Sequence, residues 1–274
     1  GGMTAERRRR AMAIPALEAR DVTMRYHVGG ADVLALQRVS LHVDEGEFVA
    51  LVGPSGSGKT TLLTIFAGLE TPTAGVVALR GNPHARRLGQ AGYMPQRDLL
   101  LPWRSALGNA IAGLQAQGTP RAEAASRASA LFAEFGLAGF ERAWPATLSG
   151  GMRQRVAFAR TVLAAHDLLL LDEPFGALDA LTRTSLQGWL ADLWERLRAT
   201  CLLVTHDLDE ALLLADRIYV LSPRPGIVRM ERAVPLERPR RLEMLTRPEI
   251  VALKAELLAA LLDAEATAVT GGAA

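Results

Sequence analysis

The chain has 274 residues, 49% of them hydrophobic and 22% charged, which suits one large α/β domain or one domain with an inserted subdomain and excludes a disordered chain. A net charge of +2 does not mark a nucleic-acid binder, and the dense basic run Arg7 to Arg10 reads as a solvated, flexible tail, with weak attraction to anionic lipid headgroups as a secondary reading. No apolar stretch reaches the roughly 18 residues needed to span a bilayer, and the run after Arg10 is too short and broken for a signal peptide, so any membrane role is exerted from outside the lipid. Gly1-Gly2 ahead of Met3 reads as an expression remnant with no part in the fold.

In chain order, residues 17 to 51 carry strand signals. Val39, Leu41 and Val43 alternate with polar neighbours, and Phe48 to Val52 is a short buried-type run. A glycine-rich loop follows at once, then a predicted helix from Thr60 to Gly68 with Leu62, Leu63, Ile65 and Phe66 apolar. Residues 100 to 147 change in texture: Ser105 to Gln117, Arg121 to Phe135 and Phe140 to Ala146 are alanine-rich and read as helices with no strand between them, an inserted helical subdomain. The alternation then resumes with a strand at Leu168 to Leu171, a helix at Leu181 to Leu197 and a strand at Cys201 to Thr205. A helix at Leu208 to Ala215 and a strand at Ile218 to Leu221 follow. The lone Cys201 cannot form an internal disulfide and reads as a buried strand residue, which fits a reducing compartment. A last helix is expected over Pro248 to Leu262. Strands alternating with helices predict a mostly parallel sheet covered on both faces. The expected division is a tail over 1–16, a main domain over 17–245 with a helical subdomain at about 97–160, and a C-terminal helix and tail over 246–274.

The eight residues Gly53, Pro54, Ser55, Gly56, Ser57, Gly58, Lys59 and Thr60 match G-x-x-x-x-G-K-[ST] between a buried strand and a helix start. Glycines let successive backbone N–H groups turn inward on phosphate oxygens, and the helix N-terminus adds about half a positive charge. Lys59 supplies a full charge for β- and γ-phosphates, and the Thr60 hydroxyl is a hard oxygen ligand for Mg²⁺. Taken alone the loop means an NTPase or a kinase. Asp172 and Glu173 end the four-leucine strand, so they face the same crevice as the loop beyond the strand ends. Asp172 is expected to hold Mg²⁺ and Glu173 to act as general base on water. Leu148-Ser149-Gly150-Gly151-Met152-Arg153-Gln154 reads as a second anion-binding helix N-terminus, with Ser149 as N-cap. A single nucleotide in one chain does not need both helix starts, whereas two chains packed head to tail could use both at each site. Asp207 with Glu210 reads equally as a capping box that needs no catalytic role.

In these ordered motifs the sequence resembles the ATP-binding subunits of ABC transporters, over roughly residues 17 to 230. Gly53 to Thr60 resembles Walker A, Leu168 to Glu173 Walker B, Leu148 to Gln154 the family signature, and Ala177-Leu178-Asp179 the D-loop. Gln96, in Tyr93-Met94-Pro95-Gln96, resembles the Q-loop glutamine that approaches Mg²⁺ and the attacking water, and His206 the switch histidine that reaches the γ-phosphate. Tyr26 stands where the family carries an aromatic that stacks on adenine. The resemblance implies an ABC nucleotide-binding fold: a P-loop NTPase core with an N-terminal antiparallel β part and an inserted α-helical subdomain. ATP would lie on Gly53 to Thr61, with Mg²⁺ on Thr60, Gln96 and Asp172. Its γ-phosphate would meet Ser149, Gly150 and Gly151 of a second copy, Gln154 of the same motif would also bind nucleotide, and hydrolysis would reopen the closed pair.

Leu99 to Trp103, Phe175 to Arg183 and Ser222 to Gly226 resemble importers of the nitrate, sulfonate, taurine and pyrimidine-precursor group. That resemblance implies transmembrane permease subunits, a solute-binding protein, a peripheral position on the cytoplasmic face of the membrane, and no nucleic-acid partner. The region around Gln96 and residues 99–120 is expected to form the groove for a short permease helix. The ATPase of an exporter or lipoprotein-release complex shares the core motifs. A soluble ABC protein would carry a coiled coil or two ATPase domains. A P-loop kinase would have no use for Leu148 to Gln154.

Overall fold

The computed structural model describes residues 14–165, 167–176 and 178–271. The basic run Arg7 to Arg10 and Ala177 of the D-loop lie outside the described residues.

The chain begins with β1 (Leu17–Val28) and β2 (Ala31–Val43), an antiparallel pair in which Tyr26 stands opposite Val33. A third strand, β4 (Ala74–Leu79), pairs with the other edge of β1. The main sheet contains β3 (Phe48–Val52), β5 (Gly92–Met94), β6 (Leu168–Asp172), β7 (Thr200–Thr205), β8 (Arg217–Leu221) and β9 (Val228–Ala233). Its order is β5-β6-β7-β3-β8-β9, parallel throughout except for β9. The helices are α1 (Lys59–Phe66), α2 (Ala106–Ala110), α3 (Ala112–Ala116), α4 (Arg121–Glu134), α5 (Gly150–Ala164), α6 (Ala180–Leu197), α7 (Leu208–Leu214) and α8 (Pro248–Gly271).

The central strands read as unbroken apolar runs because both faces of the sheet are covered. Successive side chains of a strand point to opposite faces. Leu169, Leu171, Cys201 and Leu203 therefore join the core shared with α4, α5 and α6, while Leu168, Leu170, Leu202 and Val204 join the core under α1 and the antiparallel sheet. Cys201 is fully buried and free, as expected for a strand position. An aromatic triad fastens the helical part to the core: Phe135 at the end of α4 and Phe158 of α5 lie 4.0 and 5.2 Å from the Trp189 ring of α6.

Several expectations are corrected. Phe140 to Ala146 is not a helix, and only a 3-10 turn at Pro145–Thr147 forms nearby. Its carbonyls are used elsewhere: Glu141 and Ala143 accept from the Leu107 and Ala106 amides at 3.0 and 2.8 Å, satisfying the open N-terminus of α2. The helix expected over Ser105 to Gln117 is two short ones, divided at buried Ile111. The last helix runs to Gly271 rather than Leu262. Three strands went unread: β5 has three residues, β4 carries left-handed Gly75 at its second position, and β9 alternates its exposure along an antiparallel edge.

The topology concentrates loops. Those following β3, β5, β6, β7 and β8 all leave the carboxyl edge of one sheet, where ligands bind in open α/β folds.

Candidate active site

The loop Gly53–Thr60 leaves β3 and enters α1. Gly58 has a φ of 90°, and a Cβ there would lie 2.6 Å from Leu36 Cδ2 and 3.0 Å from the Ala35 carbonyl. The turn and the close approach of β2 both require glycine. Lys59 is only 6% exposed. Its Nζ donates to the Gly53 and Pro54 carbonyls at 2.8 Å each and lies 3.4 Å from Ser57 Oγ. Burial lowers the pKa of this ammonium, and the nearby Glu173 and Asp172 carboxylates act against that. Gly53 and Pro54 thus hold the lysine by their carbonyls. Ser55, Gly56, Ser57, Gly58, Lys59, Thr60 and Thr61 line an open cavity of about 410 Å³.

Two further groups share that cavity. Tyr26, Val33 and Ala35 line it from β1 and β2. The half-buried Tyr26 ring is held by its hydroxyl, which donates to Glu70, and burial raises the pKa of that hydroxyl. Gln96 and Glu173 line it from the ends of β5 and β6, and Gln96 Nε2 donates to Glu173 Oε2 at 3.1 Å. His206 Nδ1, after β7, lies 3.4 Å from the same carboxylate oxygen. Glu173 takes a left-handed φ of 45°, uncommon for a residue with a side chain, and its amide donates to the Val204 carbonyl at 2.9 Å. The adjacent Asp172 is 1% exposed, and neither of its carboxylate oxygens has a hydrogen-bond partner among the described residues. Burial pushes its pKa up, while the Thr60 hydroxyl and Lys59 pull the other way. An orphaned buried carboxylate beside a threonine hydroxyl fits a hard divalent cation. Among the described residues no group of three or more His, Cys, Asp or Glu forms a metal cage. This donor set therefore suits an ion that completes its shell from phosphate and water.

The second helix start forms as expected. Ser149 caps α5, its Oγ accepting from the Met152 amide at 3.2 Å, but Ser149, Gly150 and Gly151 are not part of the cavity wall. Gln154, expected among the nucleotide contacts, is 7% exposed, and its amide nitrogen donates to the Pro174 carbonyl, pinning the turn after Glu173. Asp179 caps α6 by accepting from the Thr182 amide at 3.0 Å, which lowers its pKa. The Asp207 capping box is only half made. Asp207 Oδ1 accepts from the Asp209 and Glu210 amides at 2.9 and 3.2 Å, but Glu210 accepts from Thr205 Oγ1 at 2.7 Å instead of closing the box.

Sequence reasoning missed Val33, Ala35 and Arg224 as cavity residues. Val33 is legible only through its cross-strand pairing with Tyr26. Arg224 lies inside the Ser222–Gly226 stretch, singled out for subgroup resemblance and not for its position at a site.

A glycine-rich phosphate loop, a strand-end acidic pair and a capped second helix start on one parallel sheet define a nucleotide-hydrolysing cassette. The family model described as ABC transporter matches residues 36–176, half of the chain, and this chain belongs to that family and is an ABC-type ATPase. It is 46% identical over 214 residues to the formylaminopyrimidine import ATP-binding protein ThiZ of Halalkalibacterium halodurans, covering 78% of this chain and 84% of that one. It is 47% identical over 234 residues to the aliphatic sulfonates import ATP-binding protein SsuB 1 of Rhodococcus jostii, covering 85% and 90%. A solved dimeric structure of the ATP-binding cassette MJ0796, in a post-hydrolysis state bound to ADP and Pi, superposes with a TM-score of 0.73 at 31% identity, covering 81% of this chain and all of that one.

Proposed function

We propose that this chain powers a membrane importer for a small solute of the sulfonate, nitrate, taurine or pyrimidine-precursor kind, by closing as a head-to-tail pair on ATP. The observation that carries the reading is the convergence on Glu173 Oε2 of Gln96 and His206, at the edge of the cavity walled by Lys59 and Thr60.

In this reading the triphosphate displaces the Gly53 and Pro54 carbonyls from Lys59 and meets the inward amides of the loop and the N-terminus of α1. Thr60, Asp172 and Gln96 would hold Mg²⁺, which would offset phosphate charge when bound. Glu173 accepts a proton from water as that water attacks the γ-phosphorus, and His206 holds the γ-phosphate. ADP, phosphate and the proton on Glu173 account for the atoms. Ser149, Gly150 and Gly151 of the second copy cap the γ-phosphate, so the nucleotide bridges two helix N-termini and hydrolysis removes the bridge. Their absence from the cavity of a single chain supports the need for the partner.

The permease would dock on a second cavity of about 330 Å³ between Trp103, Arg104, Gln115, Arg121 and Trp144, where Trp103 is 71% exposed. Arg153 of α5 pairs with Asp98 at 3.1 Å, and Arg160 donates to the Asp98 and Leu99 carbonyls, so α5 grips the loop that follows Gln96. No helix among the described residues is long and apolar enough to cross a membrane. Attachment through permease subunits, with a solute-binding protein on the far side, accords with the named import relatives.

Glu173→Gln tests the reading. It should lower turnover by ~10²–10⁴-fold, bind ATP, and accumulate as a dimer on MgATP by light scattering. Turnover at the wild-type rate would remove Glu173 as the base.

A further inference from the structure

We propose that Arg224, on the turn between β8 and β9, is a second cation of the nucleotide cavity and contacts the α-phosphate and ribose side of bound ATP and ADP. The inference rests on placing the nucleotide in the cavity of Gly53–Thr60.

The turn is built and held. Ser222 is 3% exposed. Its Oγ lies 3.0 and 2.9 Å from the Pro223 and Pro225 carbonyls and accepts from the Ile227 amide at 3.0 Å. The turn is also stitched to β2, with the Gly226 amide donating to the Ala35 carbonyl at 2.9 Å and the Gln37 amide donating to the Gly226 carbonyl at 3.0 Å. On its other side Gly226 presses on the phosphate loop, where a Cβ would lie 2.1 Å from the Ser57 carbonyl oxygen. Two residues before this contact, Arg224 is exposed and lines the same cavity as Lys59. Its guanidinium makes no hydrogen bond or ion pair among the described residues.

A rigid turn therefore offers an unpaired guanidinium to a cavity that receives a polyanion. Guanidinium presents a fork of donors matched to phosphate oxygens. The end it serves follows from the anchorage. The turn is bonded to the strand that carries Val33 and Ala35, which line the cavity with the Tyr26 ring. Among the described residues its bonds do not reach Gln96, Glu173 or His206, around which the γ-phosphate would be attacked. The contact is thus present with ATP and ADP alike, and it binds ground state and transition state equally, so it acts on KM and leaves kcat little altered.

The test measures equilibrium binding of ATP and ADP, and steady-state hydrolysis, for wild type, Arg224→Gln, Arg224→Lys and Lys59→Ala. Arg224→Gln should weaken ATP and ADP by the same factor, about 5- to 20-fold, and raise KM similarly with kcat within twofold; Arg224→Lys should recover part of the loss. Wild-type affinities in Arg224→Gln, alongside lost binding in Lys59→Ala, would overturn the assignment of Arg224 and leave the site standing. A loss confined to ATP would also overturn it, by moving the contact to the γ-phosphate. Unaltered binding in Lys59→Ala would instead overturn the site.

Discussion

Glu210 shows how one buried carboxyl can carry a pH dependence. It is 4% exposed, bonded to Thr205 through one oxygen, and its other oxygen has no hydrogen-bond partner among the described residues. Burial raises its pKa from 4.5 to about 8. Between those values the unfolded chain is ionised at this position while the folded chain keeps its proton. The folded state therefore binds more protons, and this residue's contribution falls as pH rises through that window and levels off above it. Glu210→Gln, which keeps an acceptor for Thr205, should remove that slope and be more stable than wild type at pH 8 by ~1 kcal/mol or more. Urea midpoints at pH 5 and pH 8 check this, and an equal difference between the two proteins at both values would contradict it. Glu173, nearby, is governed instead by backbone: its left-handed φ and its bond to Val204 aim the carboxylate at Gln96 and His206.

At the scale of elements, the β8–β9 turn and α5 each tie a surface feature to the phosphate loop or its neighbours. Gly226 leaves no room for a side chain against Ser57. Gly226→Ala must displace either the turn or the loop, since a Cβ at 2.1 Å overlaps a backbone oxygen. Nucleotide affinity should fall at least tenfold, with overall secondary structure by circular dichroism retained and the melting midpoint lowered by several degrees, as for ~1–3 kcal/mol of overpacking. Wild-type affinity would show that the loop does not depend on this contact. The helix α5 does the corresponding work in the helical part. It caps itself with Ser149, grips Asp98 and Leu99 through Arg153 and Arg160, and pins Pro174 through Gln154. Gln154 thus bonds within its own chain, to the turn that follows Glu173.

At the scale of the whole molecule, the proposed closure turns on the separation of two glycine-rich helix starts in one chain, of which Ser149, Gly150 and Gly151 lie outside the cavity that Lys59 and Thr60 line. A change at the second start should therefore impair pairing before it impairs binding to a single chain. Gly150 suits the test: its nearest neighbour for an added Cβ is Arg153 Nη2 at 3.8 Å, so a side chain fits. An acid there favours α5 through its N-terminal dipole, by ~0.3–1 kcal/mol, but repels a partner's γ-phosphate. Gly150→Asp, combined with Glu173→Gln, should bind ATP as a monomer and fail to form the ATP-dependent dimer in light scattering. Dimerisation equal to that of Glu173→Gln alone would separate the signature turn from closure.

Much of this molecule is written locally. The eight-residue phosphate loop, the four-leucine strand ending in Asp172-Glu173, and Ser149 before two glycines each encode their conformation within a few residues, through backbone permissiveness, burial on two faces and side-chain capping. Such features are legible without coordinates, and the joint order of Gln96, Asp172, Glu173 and His206 already pointed to one crevice. What needed the tertiary structure depends on residues distant in sequence. The carbonyls of Glu141 and Ala143 serve α2 in place of a helix of their own. The Gln154 amide is spent on Pro174. Arg224 reaches the nucleotide cavity only because Gly226 is bonded to β2 nearly 190 residues earlier. Local chemistry is carried by neighbours along the chain. The partner that finally takes each hydrogen bond, and the cavity each side chain lines, are decided by which strands lie side by side.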